Sequence, residues 1–523
     1  MATAKKNTGA YHTRSGPSPW VLGFEGREVP SALKGAIRAG QVGGLMLFRD
    51  NLGNSVEEAR SIREEILAQV PSGAPFLFCA DEEGGLVHPT AGIRGPQGQP
   101  WTAVPSPQAL GRLNRAADAR FVGSILGDRL RELGIHVDFA PLLDLDTQPE
   151  NGVIGSRSFG SDPGRVAVLG WAFVRGLASS RIVGCFKHYP GHGGTSQDSH
   201  RVLPVMEPKH RALHEKPFVD CLRRPSSDPA WLMTAHVDWG DGLPASLSRA
   251  VISRVTRKAK EHLVVTDSLD MGAVSLKGGA GEQALLAHND VLLVARDWRA
   301  GLHSITSLEE KLGHDPALLA AVVRARSRIR EPWASISRRR RGSERSSAEL
   351  GKIEKQLQRL HRVTVQMQGD PSTLPKGPWL WIVPTGLPPY TDLRGWPGTT
   401  GKRRQCAEVA WVPETEIDWE SFLRRVTDDP RPKLLATLFR GQPDAAVARR
   451  WEELLGIPGL EVVAHLVDSI WPNSETRERL APHLRVAWAS GPHRESLTGL
   501  AEALDLSRRG WIEREGFYFP VDI

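Results

Sequence analysis

The sequence predicts an α/β protein, a (β/α)8 barrel of the TIM type followed by a smaller α/β sandwich domain. Eight short apolar runs, at 21–24, 44–48, 76–80, 137–140, 183–187, 232–235, 263–266 and 291–295, are the first reason. They are apolar throughout rather than alternating, as strands buried on both faces are. Helical patterns separate them, for example at 56–70, 116–133 and 165–180. Eight strand–helix alternations are what a (β/α)8 barrel needs. A doubly wound open sheet fits the same periodicity and is the runner-up.

Length sets the domain count, since 523 residues exceed one ordinary domain. Residues 1–17 read as an N-terminal tail and 18–332 as the barrel, with a break near Pro332. The segment 333–349 is serine-rich and basic, with four arginines at 338–341, and reads as a linker. Residues 350–523 form the second domain. A helical stretch at 350–367 precedes apolar runs at 379–383, 434–439, 462–467 and 484–489, with helical segments at 444–455 and 494–504.

Composition narrows the function classes. Hydrophobic residues make up 40% and charged residues 24%, as in a soluble globular protein. The net charge of +7 is small for the length and concentrated in the linker, so no nucleic-acid partner is expected. Cys79, Cys185, Cys221 and Cys406 are widely spaced and form no C-x-x-C pair, which disfavours a disulfide framework or a zinc knuckle. The N-terminus has no apolar signal core, and no uncharged apolar stretch reaches about 18 residues. The expectation is no membrane partner and a cytoplasmic location.

In a barrel, functional groups gather at the carboxyl ends of the strands. Here the third run ends in DEEGG from Asp81, and the fourth in DFAPLLDLD, whose loop carries Asn151 and Arg157. The fifth ends in Lys187-His188, the sixth in His236 and the seventh in Asp267. Each group has a plainer reading. Asp81, Glu83 and Asp267 could cap helices or sit in solvated turns; Arg157 could pair with Asp162; His236 alone suits a hydrogen-bonded structural histidine. Lys187 is harder to dismiss, because a lysine directly after an apolar strand is costly to bury without a partner.

The loop FKHYPGHGGTSQDSH, 186–200, holds three histidines. Asp198 and His200 are separated by one residue, so the carboxylate can hold one imidazole nitrogen while the other exchanges a proton. A metal is disfavoured: His188 and His192 lack the glutamate of H-E-x-x-H, and Pro190 and Gly191 oppose the helix that motif needs. No Walker lysine follows the glycines.

KHYPGHGGTSQDSH, DEEGG, NGVIGSRSFGSDP, MTAHV with PASLS, VVTDSLDMGAV and GGLMLFRDN together resemble the motifs of glycoside hydrolase family 3, over roughly residues 18–330. The likeness is greatest to its bacterial β-N-acetylhexosaminidase branch. The resemblance implies a retaining exo-β-N-acetylglucosaminidase acting on β-linked glycans such as peptidoglycan fragments. Asp267 would be the nucleophile and His200 the acid/base oriented by Asp198, with Asp81, Arg157, Lys187, His188 and, more weakly, His236 holding the sugar. No metal or organic cofactor is implied. A phosphorylase is the nearest alternative, since a neutral histidine does not repel phosphate; a non-catalytic glycan-binding protein is another.

The sequence departs from the family pattern in three places. Leu86-Val87-His88-Pro89 stands where Arg-Val-x-Arg is common, removing both arginines. Gly194 replaces the aspartate of PGHGDT, and the second domain is diverged and tryptophan-rich.

Overall fold

The computed structural model describes residues 16–148, 151, 153–224, 230–256, 261–274, 278–338 and 346–363. Further along it describes 366–368, 379–384, 406–412, 419–428, 430, 433–437, 453–454, 457–458, 460–465, 485–488, 511–514 and 517–520.

The eight apolar runs become β1 (Trp20–Gly23), β2 (Gly44–Met46), β3 (Leu77–Ala80), β4 (Val137–Asp138), β5 (Val183–Tyr189), β6 (Trp231–Thr234), β7 (Val264–Thr266) and β8 (Leu292–Val294). All neighbours pair in parallel, in the order β7-β6-β5-β4-β3-β2-β1-β8. The ring closes where Thr266 N donates to Val291 O at 3.1 Å and Leu293 N to Thr266 Oγ1 at 3.1 Å. Closure removes the open-sheet alternative.

One main helix follows each strand: Ser31–Arg38, Val56–Leu67, Ala116–Leu133, Pro163–Ser179, Pro208–Leu222, Arg249–Thr256, Ala280–Leu286 and Trp298–Lys311. Several starts are written in the sequence. Ser55 Oγ accepts from Glu58 N, Asp162 Oδ1 from Arg165 N and Asp297 Oδ1 from Ala300 N, each satisfying a free N–H of the first turn.

The strand period of two sorts the side chains. Leu22, Leu45, Phe78, Phe186 and Leu292 face the helices, while Val21, Met46, Cys79, Val137, Cys185, Met233, Val265 and Leu293 fill the barrel. The helix Pro316–Ser337 closes the N-terminal mouth with Ile329, Trp333 and Ile336, and the Trp333 ring stacks on Trp231 at 6.3 Å. This helix runs through Pro332, so the break expected there falls after Ser337 instead. Trp333 and Ile336, buried beneath the barrel, hold its last turns.

The second region builds a mixed eight-stranded sheet from β9 (Gln366–Gln368), β10 (Trp379–Pro384), β11 (Cys406–Val412), β12 (Lys433–Thr437), β13 (Leu460–His465), β14 (Arg485–Trp488), β15 (Trp511–Arg514) and β16 (Phe517–Pro520). Its order is β11-β10-β12-β13-β14-β9-β16-β15, parallel from β11 to β14 and antiparallel beyond.

The helix expected over 350–367 spans Ser347–Val363, and Met367 lies in β9 opposite Ala487. Apart from 453–454, the helical segments expected at 444–455 and 494–504 lie outside the described residues. Helix Ser347–Val363 packs on the loop after β3: Thr102 Oγ1 donates to Glu354, and His361 Nε2 donates to Ala103 O at 2.9 Å. No helix among the described residues is long and apolar enough to cross a membrane.

Candidate active site

The barrel's interior pattern puts polar groups at its C-terminal mouth. Cys79, Cys185 and Val265 are inward-facing, and the next inward positions are Asp81, Lys187 and Asp267. The alternate strands β3, β5 and β7 therefore deliver a carboxylate, an ammonium and a second carboxylate to one rim.

Lys187 is 2% exposed and is balanced twice. Its Nζ lies 2.7 Å from Asp81 Oδ1 and 2.6 Å from Glu83 Oε1. Glu83, wholly buried, also takes a two-pronged contact from Arg157, Nε to Oε2 and Nη2 to Oε1, both 2.8 Å. Burial pushes the Glu83 carboxyl up, but Arg157 and Lys187 outweigh it and hold the group down at about 2. Burial likewise pulls Lys187 and Arg157 down, and their carboxylate partners more than restore them. Of the two alternatives for Arg157, the partner is Glu83; Asp162 instead caps helix Pro163–Ser179.

Asp144, from the DFAPLLDLD segment, organises the loop after β5. Its Oδ2 accepts from His188 N at 3.0 Å and from His188 Nδ1 at 2.7 Å, and its Oδ1 from His192 N at 2.6 Å. Burial raises this carboxyl, but His188 and His192 lower it further, leaving it below its ordinary value. A carboxylate only accepts, so the His188 proton sits on Nδ1.

His192 ties the loop to itself. Thr195 Oγ1 donates to His192 O at 2.9 Å, so it accepts from His192 Nδ1 at 3.0 Å, and His192 Nε2 accepts from Ser199 Oγ at 2.8 Å. Burial lowers its basicity, which suits this neutral form. Asn151 Nδ2 secures the same turn by donating to His192 O at 3.1 Å and Thr195 O at 2.8 Å.

The Asp198–His200 pair has the predicted geometry. Asp198 Oδ1 accepts from His200 Nδ1 at 2.7 Å and from His200 N at 2.9 Å. The imidazole side chain is 62% exposed, with Nδ1 the nitrogen bonded to Asp198. Burial raises the Asp198 carboxyl, but the hydrogen bonds and charge of His200 together outweigh it and bring the group below its usual range. Gly272 N donates to His200 O and Ala273 N to Ser199 O, both at 3.1 Å. These bonds stitch the dyad to the chain just after Asp267.

Asp267 Oδ1 accepts from Ser268 N at 2.7 Å, and among the described residues the next α-helix begins at Ala280. Burial pushes its carboxyl up, but His188, His236 and the Ser268 N–H outweigh this and keep it in its ionised form. His236 departs from its expected place among the sugar-holding residues. Its Nε2 donates to Ser268 O at 2.9 Å and its Nδ1 accepts from Ser246 Oγ at 2.7 Å, so both nitrogens are occupied within the protein.

Asp144 and the central part played by Glu83 were not singled out from sequence. The one available signal was that both lie in strand-end segments already rich in acid. His88, at the departure from Arg-Val-x-Arg, is buried: its Nε2 accepts from Val104 N at 2.9 Å, and its Nδ1 contacts Glu82 Oε1 at 2.5 Å. Among the described residues, no group of three or more His, Cys, Asp or Glu is arranged to hold a metal ion. A separate cavity of about 670 Å³, lined by Trp101, Arg129, Leu350 and Glu354 among others, contains none of the rim residues.

The sequence matches the glycosyl hydrolase family 3 N terminal domain over residues 21–326, more than half of the chain. The chain belongs to glycosyl hydrolase family 3. Among family relatives, beta-hexosaminidase A of Pseudoalteromonas piscicida is 30% identical over 268 residues, 47% of this chain and 44% of that protein. This chain therefore spans less than half of that relative. The beta-hexosaminidase of Bordetella avium (strain 197N) is 31% identical over 299 residues, 53% of this chain and 80% of that one. The structure of a glycoside hydrolase family 3 beta-N-acetylglucosaminidase from Paenibacillus sp. str. FPU-7 superposes with a TM-score of 0.76 at 24% identity. The match covers 96% of this chain and 97% of that one, a likeness of fold.

Proposed function

We propose that this chain is a retaining exo-β-N-acetylglucosaminidase that releases terminal β-linked N-acetylglucosamine from glycans, peptidoglycan fragments being the substrate class. The observation that carries the reading is the pairing of two chemistries at one rim. An ionised carboxylate, Asp267, lies beside a loop whose His200 is held at Nδ1 by Asp198. The names of the beta-hexosaminidase relatives support the same substrate.

Asp267 attacks the anomeric carbon as the bond to the leaving oxygen breaks, and His200, protonated, gives its Nε2 proton to that oxygen. A glycosyl ester on Asp267 results. His200, now neutral, takes a proton from water, whose oxygen attacks the anomeric carbon and frees Asp267. Two inversions give net retention. Asp198 accepts from Nδ1 throughout, fixing the ring and stabilising its charged form. Asp81, Lys187, His188 and Arg157 are the proposed sugar-holding set, Arg157 acting through Glu83. His236 acts from behind, by holding the Ser268 carbonyl next to the nucleophile.

In this reading the barrel, with its closing helix Pro316–Ser337, carries the chemistry and the second region supplies none. A cytoplasmic location belongs to the same proposal, supported by Cys79, Cys185 and Cys221 being buried and unpaired. Turnover of an aryl N-acetyl-β-glucosaminide by the wild type, and its loss in Asp267→Ala, tests the reading. N-acetylglucosamine as product in phosphate buffer supports hydrolysis. N-acetylglucosamine 1-phosphate would mean phosphorolysis, and an inert wild type would favour a glycan-binding role.

A further inference from the structure

We infer that His214 is a positioning residue of the acid/base loop: its imidazole is the wedge on which 191–194 folds, and through that loop it sets the place of His200. The inference rests on the reading of His200 as acid/base.

His214 sits in helix Pro208–Leu222 and is 1% exposed, although the rim chemistry makes no use of it. His214 occupies the space that side chains on the loop would need, its ring at Gly194 and its Cβ and backbone at Gly191. A Cβ at Gly194 would come within 2.5 Å of His214 Nε2, and one at Gly191, whose φ is +129°, within 2.8 Å of His214 Cβ. On the opposite side a Cβ at Gly193 would reach 1.7 Å from Leu145 O. The glycine stretch is therefore a flat ribbon clamped between the Leu145 backbone and the His214 ring. The ring is itself anchored, with Nε2 3.1 Å from Thr147 Oγ1, which lies 3.5 Å from Gly193 O.

From Gly194 the restraint runs to the dyad through bonded neighbours. Thr195 Oγ1 bonds His192, His192 Nε2 bonds Ser199 Oγ, and Ser199 and His200 are held by Ala273 and Gly272. Removing the wedge frees the start of this chain of contacts. Adding a methyl at Gly194 drives the loop off the ring. Either change moves His200 relative to Asp267, and a shift of about 1 Å in a catalytic group can cost about 100-fold in rate.

The two positions should compensate. Gly194→Ala, His214→Ala and the double variant are compared with wild type on an unactivated N-acetylglucosamine disaccharide and on 2,4-dinitrophenyl N-acetyl-β-glucosaminide. The latter needs no proton on its leaving group. On the disaccharide, Gly194→Ala is expected to lower kcat/KM about tenfold or more and His214→Ala about three- to tenfold. On the dinitrophenyl glycoside both stay within about threefold of wild type. The double variant should match His214→Ala, because the clash has gone.

Losses equal on both substrates, or a double variant as weak as the product of the singles, would overturn the inference. If His214→Ala does not fold, the smaller but polar His214→Asn takes its place in the same cycle. A wild type inert on both substrates would instead overturn the functional reading, and this inference with it.

Discussion

Asp144 Oδ2 lies 2.7 Å from His188 Nδ1, and the carboxylate is wholly buried behind the ring. Because Asp144 also accepts from His192 N, one side chain sets both the tautomer of a rim histidine and the first turn of the acid/base loop. Asp144→Asn can satisfy only part of this set with its single carbonyl oxygen. Its kcat/KM on the aryl glycoside is expected to fall about 10- to 100-fold with the fold retained by circular dichroism. A fall below about threefold would show that Asp144 does not position the site.

His200→Ala is expected to separate substrates by leaving group. Acid catalysis contributes roughly 10²- to 10⁴-fold where the leaving oxygen is basic. An unactivated disaccharide should lose on that order in kcat/KM, and a dinitrophenyl glycoside far less. Steady-state kinetics on the two substrates check this, and equal losses would remove His200 from the acid/base role.

Glu83 gives the fold a defined acid dependence. Its folded value of about 2 lies below the ordinary 4.5, so the carboxylate's stabilising contribution is complete above about pH 4.5 and disappears as pH falls through 2. Glu83→Gln, which leaves Lys187 and Arg157 short of a counter-charge, is expected to lower Tm at pH 7. The gap to wild type, on the order of 2–4 kcal/mol, should close as pH approaches 2. Thermal scans across pH read this directly, and a gap independent of pH would contradict the ion-pair account.

His88, between the two positions where arginines are lost, is a buried hydrogen-bonding ring. His88→Ala takes a partner from Val104 N and from Glu82 Oε1, at about 1–3 kcal/mol for each buried group left unmet. Chemical denaturation should show a loss of about 2–5 kcal/mol at pH 7. The acidic turn 81–83 is held by Glu82, so activity should fall as well. A loss under about 1 kcal/mol would mean the site tolerates the loss of the contact at Glu82 Oε1.

The barrel was legible because its strands are buried on both faces and read as unbroken apolar runs. β9, β11, β15 and β16 were not. Trp511–Arg514 and Phe517–Pro520 are held as strands by pairing with each other. Likewise Gln366–Gln368 continues a helical pattern in sequence and becomes a strand because β14 offers it an edge.

In the site, the Asp198–His200 pairing reads from the one-residue spacing, whereas Asp267 as nucleophile was reached only through the family resemblance. Asp144 does not read from the chain, since DFAPLLDLD contains three aspartates and only the fold turns one of them toward His188. His236 shows the converse. Its place at a strand end suggested contact with sugar, and tertiary packing gave both nitrogens to Ser246 and Ser268.

The central claim is a covalent glycosyl-enzyme on Asp267, and trapping tests it most directly. The wild type is incubated with a fluorinated N-acetylglucosaminide bearing a good leaving group, digested and analysed by mass spectrometry. The account predicts one added sugar, on the peptide containing Asp267, and none in Asp267→Ala. Efficient turnover of the parent glycoside with no adduct on that peptide, or an adduct on a different carboxylate, would contradict it.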